Sequence, residues 1–431
     1  MNEQSTVTQS GNKRRQFLKQ LLAGSVATLA YPTLTNANPE SKNFALPPNG
    51  DFGDERYWEM VKKQFTVPHN KMMVNAANLC PSPYFINDLV ISMQKSLGQD
   101  VSFQFRHQFS EKRAKSLEMM AQFIGVAKDE LGIVRNATEG NTIIVNGFDF
   151  KAGDEIIIWE QNHPSNGIAW EQRAKRSGFI VKKVAVPTAP LSPEELLSPF
   201  AKAITSKTKL ISFSHISNTS GIALPAGEIC QLAKSKNILT LVDGAQSLGM
   251  MDLDLKQIGC DFYTASTHKW LMGPFENGIL YVSKEHVARL WPNVISAGWK
   301  ETGITVDEKL CVLGQRNEST PFALPETLEF HQTIGKKNIE DRVRKLTGYL
   351  KEQIHAKIPQ ATFVSPLAPA MSGGIVSVNF PGKQSSEIYQ KLYDVHGIAC
   401  SATGGVRLSP HIYNTINDMD KITAALTTLA L

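Results

Sequence analysis

The chain has 431 residues, 42% hydrophobic and 20% charged, with 30 Gly, 22 Pro and 5 Cys. That composition excludes a collagen-like chain, low-complexity disorder and a disulfide-knot scaffold, and no apolar run approaches the ~20 residues that span a bilayer. The net charge of +5 is concentrated at the start, where Lys13, Arg14, Arg15 and Lys19 face only Glu3, leaving 41 of the 45 basic and 39 of the 40 acidic residues for the rest. A body so close to neutral has no electrostatic footprint for nucleic acid.

Taken in chain order, the first predicted element is a targeting segment. The basic cluster precedes ten apolar and small residues at 21–30 and a small-x-small exit at Thr35-Asn36-Ala37, the layout of a signal peptide over residues 1–37. Arg14-Arg15-Gln16-Phe17-Leu18-Lys19 resembles the twin-arginine export pattern. The resemblance implies recognition by the twin-arginine machinery, export in the folded state and a periplasmic destination, without stable membrane insertion. Cleavage is expected after Ala37, with Ala30 the second choice. Residues 38–70 read as an N-terminal arm joining a small domain.

From residue 71 to about 310, short apolar runs alternate with amphipathic stretches. Glu155–Trp159 is a predicted buried strand, followed by a helix at 167–176. Further strands are expected at 209–216, 239–242, 262–265 and 279–282, with a helix at 226–235. Strands separated by helices indicate βαβ units and a mostly parallel sheet covered on both faces. Ligand sites in such α/β sheets lie beyond the carboxyl ends of the strands. Residues 311–431 predict a smaller α+β domain after an irregular stretch at 299–325, with a long helix at 336–358, strands at 361–365, 374–380 and 398–401, and helices at Ser385–His396 and 419–429. At about 150 residues per domain the length allows two or three, and the pattern resolves it into two, one large α/β and one small α+β. The five cysteines are odd in number and contain no Cys-x-x-Cys pair, which predicts packed thiols in place of a disulfide framework.

The chemistry-bearing residues end strands. Val242-Asp243-Gly244-Ala245-Gln246-Ser247 and Ser266-Thr267-His268-Lys269-Trp270 each close an apolar run and project into one crevice. A lysine there is either a snorkelling surface residue or an amine used chemically, as in Schiff-base formation with an aldehyde. Asn136-Ala137-Thr138-Glu139-Gly140-Asn141 opens a helix, where backbone amides and a hydroxyl suit phosphate, although Thr138 could equally be a helix cap. Asn162-His163-Pro164-Ser165-Asn166 and Ser217-Asn218-Thr219-Ser220-Gly221 each follow a strand. Near the C-terminus stands Arg407-Leu408-Ser409-Pro410-His411-Ile412-Tyr413-Asn414-Thr415. Dispersed histidines without His-Glu-x-x-His, Walker or Gly-x-Gly-x-x-Gly motifs leave no metal or nucleotide signature.

In that order, these motifs resemble the class V aminotransferase family of pyridoxal-phosphate enzymes, on the branch of isopenicillin N epimerase and cysteine desulfurase. The resemblance implies fold type I, an α/β fold whose large domain holds a mostly parallel seven-stranded sheet, plus the small C-terminal domain. It implies pyridoxal 5'-phosphate as cofactor and a homodimer with its active site at the subunit interface. By that resemblance Lys269 joins the cofactor aldehyde and then moves the substrate Cα proton. Asp243 faces the pyridine nitrogen and keeps it protonated. Gln246 and Asn218 approach the ring hydroxyl, Asn218 also reaches the substrate, and His163 stacks on the ring. Thr138 and Glu139 supply phosphate donors from one side, Ser266 and His268 from the other. Arg407 takes the substrate carboxylate as a bidentate fork. Gly314-Gln315-Arg316-Asn317 resembles a family Gly-Thr-Arg-Asp segment, so Gln315, or Thr320 in its place, would reach the partner subunit's phosphate and Arg316 the substrate side chain.

The expected activity is that of a periplasmic enzyme acting at Cα of an amino acid or an amino-acid-containing metabolite, an aminotransferase or epimerase. The alternatives are a lyase or desulfurase, and a catalytically silent binding protein that keeps the fold. Desulfurases carry a cysteine on an inserted loop before the arginine, whereas Cys400 falls here in an apolar strand, which disfavours persulfide chemistry.

Overall fold

The computed structural model describes residue 46, residues 50–302 and residues 305–430. The expected export segment, with Arg14 and Arg15, lies outside the described residues. Within the compact unit that follows it, α1 (Glu55–Lys62), β1 (Met72–Met73), α2 (Tyr84–Gln99) and α3 (Phe103–Ile124) come first. Next are β2 (Leu131–Val134), α4 (Ala137–Gly147), β3 (Glu155–Trp159), α5 (Pro164–Ser177), β4 (Ile180–Val184) and α6 (Pro193–Ala203). Then come β5 (Thr208–Ser214), α7 (Ala226–Lys234), β6 (Leu239–Asp243), β7 (Phe262–Ser266) and β8 (Gly278–Val282). Helices α8 (Leu324–Ile334) and α9 (Lys336–Lys357) lead to β9 (Thr362–Phe363), β10 (Val376–Asn379), α10 (Ser385–His396), β11 (Ile398–Ala399), β12 (Val406–Leu408) and α11 (Ile416–Ala430).

The seven-stranded sheet has the order β2-β8-β7-β6-β5-β3-β4. Strands β4, β3, β5, β6 and β7 are mutually parallel, and β8 runs antiparallel to both β7 and β2. This is the mostly parallel sheet expected of a fold type I α/β protein. Alternation along the strands divides the core between two faces. Ile157, Trp159, Ile211, Phe213, Val242 and Tyr263 face Leu117 and Phe123 of α3, Phe200 of α6 and Ile229 of α7. Ile156, Ile158, Leu210, Leu241, Phe262 and Leu280 face Ile143 and Ile144 of α4 and Trp170 of α5. Each such side chain contributes about 1.5–3 kcal/mol by leaving water.

Two strands of this sheet escape a pattern-based reading. Strand β4 is an edge strand whose residues are mostly exposed or half-buried, with Lys182 and Lys183 in its middle. Strand β2 is four residues long and includes Gly132, where a Cβ would stand 2.4 Å from the Cys311 sulfur. The stretch expected to be irregular at 299–325 carries one-turn helices at Val306–Leu310 and Ser319–Phe322, and α8 begins at its end.

The C-terminal region packs an antiparallel β12-β10-β9 sheet on α9, α10 and α11 around Leu346, Leu350, Val376, Val378, Leu392 and Ile422. The N-terminal segment is stitched into it. Strand β1 pairs in parallel with β11, and Asn75 bridges to Ser409. Glu55 of α1 receives both Arg342 guanidinium nitrogens of α9 at 2.5 and 2.9 Å, while Lys62 pairs with the buried Asp418 at 2.8 Å. Burial raises the Glu55 carboxyl, but the Arg342 hydrogen bonds and charge outweigh it and bring it down to about 2.

A group depressed in this way stabilises the fold above its unfolded value near 4.5, and the contribution fades as pH falls towards about 2. Arg342→Met should therefore cost about 2–3 kcal/mol in denaturant unfolding at pH 7, less than the ~3–5 kcal/mol for breaking a fully buried pair because Glu55 keeps one side in water. The difference from wild type should shrink between pH 4.5 and pH 2.

Candidate active site

Four strand ends converge on one crevice. Residues beyond the carboxyl ends of β3, β5 and β7 supply His163, Asn218 and Lys269, and β6 ends on Asp243 itself. Together with Arg407 of β12, the first three line a polar cavity of about 330 Å³. Its other lining residues are Asn75, Ala77, Asn78, Tyr389, Cys400, Ser401 and Thr403. No carboxylate lines this cavity, so two cations face it without an acid in the wall.

Lys269 sits at the end of a buried strand, and burial lowers its affinity for a proton. Asp243 pulls it back up, and Arg407 pushes it further down. An amine so placed is a better nucleophile near neutral pH than an exposed lysine. Asp243, 3% exposed, is oriented from two sides. Its Oδ2 accepts from Asn141 Nδ2 at 2.9 Å and its Oδ1 from the Ala245 amide at 3.1 Å, and Thr264 Oγ1 donates to Asn141 Oδ1 at 2.7 Å. Helix α4 comes close enough for this because Gly140 lies flat on β7. A Cβ there would be 2.9 Å from Thr264 Cγ2. Asn141 closes the predicted phosphate turn, and the turn itself assigns it no role. The legible signal is a polar residue on the sheet-facing side of a helix, beside a glycine.

His163 is half-buried and caps the start of α5. Its Nδ1 lies 2.8 Å from Ser165 Oγ and accepts from the Ser165 amide, which leaves the proton on Nε2. Burial, then the Lys269 and Arg407 charges, hold this imidazole below its ordinary value against the pull of Asp243, so it is neutral at pH 7. Asn162 locks the loop to β5. Its Nδ2 donates to the Ser212 carbonyl at 2.9 Å and its Oδ1 accepts from the Ser214 amide at 2.7 Å.

Arg407 is 4% exposed and forms no ion pair among the described residues. One Nη1 hydrogen goes to the Asn218 carbonyl at 2.6 Å and one Nη2 hydrogen to Asn75 Oδ1 at 3.0 Å, while Nε is buried without a partner. Burial brings it down to about 10, still cationic at neutral pH. A buried guanidinium with spare donors and no acid is a built receptor for a carboxylate. Asn75 comes from the short N-terminal pairing with Ser409, which no sequence pattern announces.

The expected phosphate donors are rearranged. The cap of α4 is Asn136, whose Oδ1 accepts from the Glu139 amide at 3.0 Å, so Thr138 is not the cap and stands exposed beside it. That engagement takes the Glu139 amide out of play as a phosphate donor, and its carboxylate is held by Arg135 at 3.0 Å. Ser266 Oγ accepts from the Ala137 amide at 2.9 Å. His268 is half-buried with an unpartnered Nδ1, and burial and Lys269 bring it down to about 4. Gln246 uses both ends of its amide, donating to the Ala77 carbonyl at 2.9 Å and accepting from Trp270 Nε1 at 2.8 Å, with one N–H left over.

Asp243, Gln246, Thr138, Glu139, Ser266 and His268 are not part of the cavity lining, and neither are the remaining expected residues, Gln315, Arg316 and Thr320. Gln315 is exposed and accepts from Arg106 at 2.8 Å. Arg316 turns to the Ile133 carbonyl at 3.4 Å, and Thr320 is buried with its hydroxyl unpartnered. All five cysteines are reduced and buried. Cys400 lies one residue past β11, not within it, and is among the residues that line the cavity, with burial pushing its thiol up to about 12.

The Aminotransferase class-V family profile matches residues 91–422. The chain is 26% identical over 394 residues to an isopenicillin N epimerase of Amycolatopsis lactamdurans, covering 86% of this chain and 98% of that one. It is 25% identical over 402 residues to a probable cysteine desulfurase of Methanothermobacter thermautotrophicus, again covering 86% and 98%. Among solved structures it resembles a cysteine desulfurase from Thermococcus onnurineus NA1, with TM-score 0.77, 22% identity and coverage of 86% and 98%. A C-DES variant with glycine covalently linked to its PLP cofactor matches with TM-score 0.77, 21% identity and coverage of 85% and 98%. The chain belongs to the class V aminotransferase family, and its cofactor is pyridoxal 5'-phosphate. The residues fit that group: a desolvated amine for its aldehyde, an oriented carboxylate for its ring nitrogen, and an unpartnered imidazole nitrogen on the lysine turn.

Asn141→Ala removes one hydrogen bond from Asp243 and one from Thr264 while leaving Lys269 in place. It should weaken pyridoxal phosphate binding roughly tenfold, as expected for about 1–1.5 kcal/mol. Absorbance titration of the apoprotein measures this; wild-type affinity would remove Asn141 from the site.

Proposed function

We propose that this family member acts at Cα of an amino acid or an amino-acid-containing metabolite, as an aminotransferase or epimerase, after export to the periplasm. The observation that carries the reading is Arg407, a buried cation with spare donors and no acid partner, in the same cavity as the Lys269 amine. In this reading the guanidinium takes the substrate carboxylate, and Asn75 and the Asn218 carbonyl hold its plane. Pyridoxal phosphate supplies an electron sink for breaking a bond at Cα. Lys269 removes the Cα proton and returns it, and its lowered proton affinity suits both transfers. His163, neutral and fixed as the Nε2–H tautomer, would hold that group's ring without adding a third positive charge. Asp243, held by Asn141, supplies the negative charge that favours a protonated ring nitrogen.

One observation favours desulfurase chemistry, namely that Cys400 touches the cavity beside Arg407. Its thiol is held at about 12, so under one in ten thousand is thiolate at pH 7, and it is packed with Ile398 and Val406 in the core. Nucleophilic sulfur chemistry needs the thiolate, so the Cα reading is preferred. The homodimer and the twin-arginine route are part of the proposal, and the basic cluster before the apolar residues 21–30 supports the route.

Purified protein should be yellow and Lys269→Ala colourless after dialysis. Incubation with amino acids in deuterated water should exchange the Cα proton; Arg407→Lys should raise KM about 10- to 100-fold with the cofactor absorbance intact. Alanine and persulfide formed from cysteine, and lost in Cys400→Ala, would replace this reading with desulfuration. Arg14→Lys with Arg15→Lys should retain the protein in the cytoplasm on fractionation, and unchanged export would reject the twin-arginine route.

A further inference from the structure

The turn that carries Lys269 is held from outside by two buried histidines that no part of the reaction requires. Every carbonyl from residue 267 to residue 271 has an identified donor. Thr267 O accepts from the Gly273 amide at 2.8 Å, His268 O from the Cys80 amide at 3.0 Å and Lys269 O from the Met272 amide at 2.8 Å. The next two carbonyls have no backbone donor. Trp270 O accepts from His411 Nε2 at 2.7 Å, and Leu271 O accepts from His331 Nε2 at 2.9 Å. Both rings are buried, His331 on α8 and His411 in the segment after β12.

The turn needs such restraint. Met272 is fully buried with φ of 56°, the left-handed region that a residue with a Cβ adopts only when its surroundings impose it. The local hydrogen bonds from Met272 and Gly273 close the turn, but they leave two carbonyls pointing into the core. Two buried carbonyls without donors would each cost about 1–3 kcal/mol, enough to favour another turn and another direction for Lys269.

The proton positions follow from the surroundings. His411 Nδ1 accepts from the Ile412 amide at 2.8 Å, so its hydrogen is on Nε2. Burial brings His411 down to about 4, and burial with the neighbouring His411 brings His331 down to about 3, so both are neutral donors across the physiological range. The groups facing them are Trp270, Phe123, Phe330 and Tyr413 at ring-centroid distances of 5.3–6.4 Å, with no carboxylate among them.

His411 also does something His331 does not. It lies four residues after Arg407, and its amide donates to Asn414 Oδ1 at 2.9 Å, while Asn414 Nδ2 donates to the Met73 carbonyl at 3.1 Å. The same short segment therefore holds the carboxylate-binding arginine and the backbone of the lysine turn. We infer that His331 and His411 are positioning residues that set the direction of Lys269, and that His411 fixes the spacing between the Lys269 amine and the Arg407 guanidinium.

The inference rests on Lys269 being the cofactor lysine, and the test separates the two. A colourless wild type that cannot be reconstituted rejects that premise. If the wild type is yellow, the histidines are tested in the full-length protein by His411→Gln, His411→Leu, His331→Gln and His331→Leu. Glutamine keeps an N–H near the position of Nε2, and leucine removes it. The readouts are the rate at which apoprotein captures pyridoxal phosphate covalently at Lys269, mapped after borohydride fixation, and the pH midpoint of the linkage absorbance. The leucine variants should capture at least about tenfold more slowly and move that midpoint by about half a unit or more, with the glutamine variants within about threefold of wild type. His411→Leu should in addition raise the substrate KM, which His331→Leu should leave closer to wild type. Leucine variants with wild-type capture and midpoint overturn the inference, as do glutamine variants as slow as leucine ones. Should the leucine variants not fold, asparagine replaces them, since its shorter amide cannot reach either carbonyl; asparagine and glutamine variants of equal rate overturn it. Histidine nitrogen spectra of the wild type provide a check free of substitution, because an Nδ1–H tautomer at either residue is incompatible with the hydrogen bonds described.

Discussion

An amine cannot be buried cheaply, and this fold arranges itself around one that is. Lys269 is desolvated at the end of β7, and Asp243 acts on it only at a distance, held off by its own bonds to Asn141 and the Ala245 amide. A direct ion pair would tie the amine up as an ammonium, whereas leaving it alone lowers its proton affinity and makes it reactive. The cost is met by rigidity elsewhere. Asn141 has its amide spent between Asp243 and Thr264, and Gln246 spends its own between Ala77 and Trp270. Neither can swing in to satisfy the lysine.

The sheet makes this possible through direction. Strands β3, β5, β6 and β7 are parallel, so their carboxyl ends open at the same edge, and their loops meet there. A side chain one to four residues past any of them arrives at the crevice without the chain having to reverse. Strand β8 is antiparallel to β7 and brings its start, Gly278, beside Ser266. The remaining wall must come from somewhere else. It comes from the segment around Asn75, paired with β11 and Ser409, and from the turn between β11 and β12 that carries Ser401 and Thr403.

That division also explains what could be read from the residues. Strands β3, β5, β6, β7 and β8 are legible because both faces are buried, so each is an unbroken apolar run ending in polar residues. Lys269, His163 and Asn218 follow from that logic and do share the cavity; Arg407, which joins them there, is legible only through the resemblance of its C-terminal motif. Strands β1, β11 and β12 hold two or three residues each, too few for any period to emerge, and they place Asn75, Ser401 and Thr403. Tyr389 enters from α10 through a tertiary contact that its own helix does not encode. From sequence, Thr138 fits both cap and ligand because both need an oxygen at a helix start. The choice fell to Asn136, whose side chain reaches the Glu139 amide from the position just before α4. Gln315, Arg316 and Thr320 came from a motif alone, and a motif carries no direction. In the structure they lie outside the cavity lining, with Arg316 donating to the Ile133 carbonyl.

The cavity's charge gives the last constraint. Lys269 and Arg407 press on each other, and both press on His163, with no acid in the lining to relieve them. Asp243 offsets one positive charge from behind. What remains favours anions, and a phosphate-bearing aldehyde and an amino-acid carboxylate are both anionic. Such a site is stressed when it holds neither, and anion binding releases part of that stress in the folded state only. The same electrostatics that lower the affinity of Lys269 for a proton therefore raise the affinity of the crevice for its ligands. The opposition is useful because it is local. Outside residues 1–37 the chain is nearly balanced, with 41 basic and 39 acidic residues, so the attraction to anions belongs to the crevice and not to the surface at large.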